Sequence, residues 1–123
     1  MDPFATSHFS DRALLHDLKA LDAQDCRTTA VRLSRIAELE ERGLFLREGY
    51  PSMFACCINE LHHCEGTASR LIYAARAARR FPVLFVAIAD GRLHVSGVLI
   101  LSNYLTSGNV DEFLAAATHK TKA

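Results

Sequence analysis

The sequence predicts an all-α fold, a compact bundle of about six or seven helices, on three observations. Apolar residues recur at helical spacing in nearly every segment. Turn chemistry separates those segments at Gly43, at Gly49 to Pro51, at Phe81-Pro82 and at Asp90-Gly91. Half of the 123 residues are hydrophobic, enough for one domain with a core. The competing reading is a hairpin around Asp90-Gly91, because VLFVAIA and RLHVSGVLI are rich in β-branched residues. A lone hairpin would have no sheet to join.

Residues 1–9 read as a flexible lead-in, 10–117 as a single helical domain and 118–123 as a polar tail. Ser10 is a good N-cap, with Leu14, Leu18 and Leu21 following at helical spacing. Val31, Leu33, Ile36, Ala37 and Leu39 form a second such pattern. The stretch between, AQDCRTT, contains no Gly or Pro, so the two patterns are either two helices or one bent helix of about thirty residues. Glu38 and Arg42 form an i,i+4 pair, and Gly43 is a natural stop. Leu44, Phe45 and Leu46 return the chain to the core, and Arg47 to Ser52 is a turn.

Pro51 or Ser52 then opens a helix through Leu61 that buries Met53, Phe54, Cys57, Ile58 and Leu61. A helix over 65–80 ends at Phe81-Pro82, where a short apolar helix over 83–89 begins. Another covers 95–104, with Val98, Leu99, Leu101 and Leu105 inward. Thr106 caps a last helix over 107–117, with Val110, Phe113 and Leu114 inward.

Charge is gathered on the helix over 65–80. From Gly66 to Arg80 there are four arginines (Arg70, Arg76, Arg79, Arg80) and no acid. The chain has 14 basic and 14 acidic side chains, so without those four the balance is 10 against 14. That gathering gives a neutral chain a directional field. On a wheel of 100° per residue, Ala68, Leu71, Ala75 and Ala78 share one face, and Ser69, Tyr73, Arg76 and Arg80 the opposite one. The first face lets another helix approach closely. The second carries residue types that contact phosphates and base edges. The bland alternative is a solvated face favoured by the helix C-terminal dipole.

The segment ELHHCEGTASRLI, Glu60 to Ile72, is similar to the common helix-turn-helix pattern x-L-G-L-S-x-x-T-V-S-R-x-I. Leu61 would be the buried end of the first helix, and Thr67, Ala68, Ser69 and Arg70 fit the second. His62 stands where glycine is usual, at a left-handed position that costs a histidine something. Cys64 stands where a serine N-cap is usual. The second helix of such a motif docks in the major groove of duplex DNA.

The order GYPSMFACC, ELHHCEGTASRLIYAARAARRFP, ADGRLHVSGVLILSNYLT, VDEFLAAATHK resembles the helical N-terminal region of bacterial HNH-endonuclease-type proteins, a group related to DUF222. The likeness covers about residues 10–120 and is carried best by AARAARRFP and the ADGRL and LTSGN segments. It implies a linker and an HNH nuclease domain after this region. The chain stops at THKTKA, so the expectation is a fragment, a truncated product or a stand-alone homologue.

An HNH site needs a histidine base, an asparagine and a metal-binding histidine on a ββα unit. None of the six histidines, His8, His16, His62, His63, His94 and His119, has that context, and Asn59 and Asn103 fall in helices. No catalytic residues and no cofactor are therefore expected. Cys57, His62, His63 and Cys64 match no common zinc spacing, so no metal is expected either. The four cysteines look like reduced thiols of a cytoplasmic protein, and a helix N-terminus would make Cys64 the most reactive. There is no phosphate loop, no G-x-S-x-G, no secretory signal and no apolar run of about 18 residues for a membrane span. The run ELEE, Glu38 to Glu41, reads as a solvated face.

Two function classes remain. One is a non-catalytic DNA-binding module contacting duplex DNA through Ser69, Arg70, Tyr73, Arg76, Arg79 and Arg80. The other is a helical interaction domain that forms a homodimer or docks a partner through the long N-terminal helices. The arginine face discriminates between them. Solvent-open arginines free of carboxylates favour DNA, and arginines covered by Glu38, Glu40 or Glu41 favour interaction.

Overall fold

The N-cap expected at Ser10 is in place: its hydroxyl accepts from the Ala13 amide at 3.1 Å. The structure, a computed structural model, describes residues 3–106 and 108–117. From Ser10 one unbroken helix, α1 (Asp11–Glu41), runs for 31 residues, so of the two alternatives for this region the single long helix forms. With no Gly or Pro in AQDCRTT, nothing interrupts the hydrogen-bond ladder. α1 ends where Gly43 takes φ +64° and the Arg42 and Gly43 amides bond back to the Glu38 and Glu40 carbonyls, both at 3.0 Å.

A single turn, α2 (Leu44–Arg47), follows, and it corrects one expectation: Leu46 points to solvent, while Leu44 and Phe45 are half-buried. Ser52 caps α3 (Met53–Asn59), accepting from the Ala55 amide at 3.0 Å. α3 stops two residues short of Leu61. It buries Met53, Cys56 and Cys57 and leaves Phe54 and Leu61 exposed. Cys56, not Phe54, shares the inward face with Met53 because it lies three residues on.

α4 (Glu65–Arg80) and α5 (Val83–Ala89) occupy the spans expected for them. Gly91, at φ +82°, turns the chain into α6 (Val95–Leu101). The apolar stretches on either side of Asp90-Gly91 are thus helices, and among the described residues there is no strand. α7 (Val110–Ala117) starts later than expected, after a turn in which the Asn109 side chain accepts from the Thr106 amide at 2.6 Å. Ser107 lies outside the described residues.

The core is built around α4. Its Ala68, Leu71, Ile72, Ala74, Ala75, Ala77 and Ala78 are all buried, and it packs against α1, α3, α5 and α6. The alanines let those neighbours come close. α1 contributes Ala30, Leu33, Ile36 and Ala37 and packs on α4 and α5. Every residue from Asp11 to Asp25 is exposed. Half of the longest helix therefore projects beyond the core, about 22 Å of it at 1.5 Å per residue.

That division predicts two contrasting substitutions. Leu33, fully buried, should lose about 3 kcal/mol when changed to Ala. Leu15, which is 55% exposed, should lose less than about 0.5 kcal/mol. Urea midpoints of Leu33→Ala and Leu15→Ala measure the difference, and equal losses would place the two halves of α1 in one core.

Candidate functional site

The sequence singled out the outer face of α4, and the helix presents it as expected. Its alanine-rich side is buried, while Arg70, Tyr73, Arg76, Arg79 and Arg80 are exposed and Ser69 is half-buried. Tyr73 stands out with 63% of its surface accessible. Ser69, Tyr73 and Arg76 line a groove of about 200 Å³ against Ser52, Met53 and Phe54 at the start of α3.

The turn into this helix holds one feature of the helix-turn-helix pattern. His62 takes φ +59°, and it is the one non-glycine residue with positive φ among those described. It therefore adopts the left-handed conformation for which glycine is usual, at a cost of about 1 kcal/mol or more. Cys64 is the N-cap of α4 with an extended backbone, although its side chain makes no cap bond to the helix. Instead its sulfur pairs with the Thr67 hydroxyl at 3.1 Å. Hydrogen bonds that the Thr67 hydroxyl and then its amide give to the thiolate hold the exposed Cys64 thiol below its ordinary value, while burial pushes Cys56 and Cys57 up.

The electrostatics differ from a free basic face. Arg76 grips Glu40 of α1 with two bonds, Nε to Oε1 at 3.0 Å and Nη2 to Oε2 at 2.7 Å. This fork raises the Arg76 pKa further above its already high value. Arg79 lies 3.3 Å from Glu38 and 3.7 Å from Glu41. Glu38 also takes the expected i,i+4 bond from Arg42 at 2.8 Å. Three carboxylates meet three guanidiniums, so these charges offset one another. Arg80 lies against the Phe81 ring, 5.0 Å from its centroid. Among the described residues Arg70 and Arg80 join no ion pair with a carboxylate.

ELEE is thus a facing strip for α4 rather than a plain solvated face. The signal for this lay in the sequence as a charge count: Glu38, Glu40 and Glu41 match Arg42, Arg76 and Arg79 in number. Their meeting depends on how α1 and α4 pack, which periodicity does not specify.

The second candidate surface is the N-terminal part of α1. Leu14, Leu15, Leu18 and Leu21 are 45–55% exposed on the projecting half of α1. Helical spacing finds such leucines but does not reveal whether the chain is long enough to cover them.

Among the described residues no group of three or more His, Cys, Asp or Glu is placed to hold a metal ion, and no helix is long and apolar enough to cross a membrane. No protein-family model, curated protein or solved structure matches this chain.

The ion pairs set a pH dependence. The Arg42 hydrogen bond, then that from Arg79, holds the Glu38 carboxyl below its ordinary value of 4.5. A carboxyl whose pKa is lowered by folding stabilises the fold above its unfolded value, and that contribution is lost as pH falls through the folded value. Between about pH 5 and pH 3 the stability of Glu38→Gln should therefore fall less steeply than that of the wild type. Chemical unfolding across that range checks it, and parallel curves would mean that the contacts do not form.

Proposed function

We propose that this chain is a non-catalytic helical interaction module that docks another helix on the projecting half of α1. One observation carries this: four leucines stand about half exposed on a helical segment, Asp11 to Asp25, in which no residue is buried. Contiguous apolar surface of that kind marks an interaction site on a folded protein. The pairing of Arg76 and Arg79 with the acids of α1 supports the same choice, since it removes two of the arginines a DNA face would use. The resemblance to the N-terminal region of HNH-endonuclease-type proteins fits a module that would act beside a nuclease without supplying its chemistry.

The test is to charge the leucines. With Leu14→Glu and Leu18→Glu together, the thermal midpoint should stay within a few degrees of the wild type and binding of an apolar dye should drop. A fall in midpoint as large as that of a core substitution would show the leucines to be part of the chain's own core and would end this reading.

A second reading is favoured by the left-handed His62 turn and by the exposed Arg70 and Tyr73 beside a half-buried Ser69. Here α4 binds duplex DNA weakly, mainly through Arg70 and Arg80, with Arg76 and Arg79 joining only if they leave their carboxylates. Two phosphate contacts give a slope of log affinity against log salt of about −2. Anisotropy with a labelled duplex at low salt measures it. Arg70→Ala with Arg80→Ala should abolish the signal, and the DNA reading fails if wild type gives none.

A further inference from the structure

We infer that the occupant of the leucine stripe on α1 is an amphipathic helix with a basic rim, from a chain other than this one; the inference rests on the interaction reading above and names the partner's chemistry. Around the wheel of α1, Asp11, Asp22 and Asp25 lie within about 55° of the centre of the stripe formed by Leu14, Leu15, Leu18 and Leu21. The two basic residues of this half, Arg12 and Lys19, lie more than about 110° away. Asp11 precedes the stripe and Asp22 and Asp25 follow it, so the face that a docked helix meets is acidic at both ends.

The stripe also leads somewhere. Asp22 and Asp25 sit one turn beyond Leu18 and Leu21, on the lip of a groove of about 360 Å³ between α1 and the α5–α6 corner. Ile88, Leu93 and Val95 line that groove. A helix laid along the leucines thus has an apolar path that continues into the fold, with two carboxylates at the entrance for a lysine or arginine.

A second copy of the chain suits this surface badly. Parallel packing would set Asp11, Asp22 and Asp25 each against its own counterpart. Antiparallel packing about Leu18 would bring Asp11 beside Asp25 of the other copy twice, because both lie the same number of residues from 18. Like charges at the edge of an apolar seam select against that partner.

The experiment uses the full chain and two synthetic helical peptides with one leucine seam, one rimmed with lysine and one with glutamate. Fluorescence anisotropy of the labelled peptides should show the lysine peptide binding on the order of tenfold or more tightly than the glutamate peptide at low salt. The preference should shrink as salt rises. Asp22→Lys with Asp25→Lys should invert it, and Leu18→Glu should remove binding of both peptides. Equal binding of the two peptides, or no inversion in the charge-swapped variant, overturns the inference. So does sedimentation of the wild type as a dimer that Leu18→Glu dissociates, since the stripe then belongs to a second copy. These failures differ from failure of the interaction reading, which would appear as a lowered midpoint in the leucine-to-glutamate variants.

Discussion

The rest of the structure depends on the close packing of α4 against the C-terminal half of α1. Ala68, Ala74, Ala75 and Ala78 on one side and Ala30, Leu33, Ile36 and Ala37 on the other are all buried, with at most 5% of any of them accessible. Small side chains at the contact let the two axes approach closely. At that separation Arg76 and Arg79 reach the carboxylates of α1 without leaving their helix. The ion pairs are a consequence of the packing rather than its cause. They lie in partial contact with water, where such pairs are worth about 1 kcal/mol or less each.

The same packing sets the length of the fold. α4 has 16 residues, and the part of α1 from Cys26 to Glu41 also has 16. Both are about 24 Å long. α1, at 31 residues, is nearly twice as long as α4. Its leucines are left outside because no element of the described chain lies over them. An isolated helical segment of this length is marginal in water. The projecting half is held in helical form chiefly by its continuity with the packed half, which makes it suited to ordering on contact with another helix.

Much of the fold was legible in the sequence because each helix carries its own punctuation. Ser10, Gly43, Ser52 and Phe81-Pro82 set boundaries through local chemistry, and α4 and α5 fall where those signals put them. His62 was legible too, as a residue at a position that demands positive φ. The misjudged residues share a cause. Leu46, Phe54 and Leu61 are apolar at helical spacing yet exposed, because periodicity says which residues share a face and not whether anything lies over it. The candidate site divides in the same way. The wheel placed Ser69, Tyr73, Arg76 and Arg80 outward, but the pairing of Arg76 and Arg79 with Glu38, Glu40 and Glu41 is a tertiary fact.

The central claim is that α1 is half core and half arm. Amide hydrogen exchange along this one helix in dilute protein tests it most directly. The amides of Ala30 to Ala37 should be protected to nearly the full stability of the fold, and those of Leu15 to Gln24 only weakly, with the change near Cys26. Uniform strong protection from Leu15 to Ala37 in the monomer would mean that the leucines are covered by the chain itself and would contradict the account.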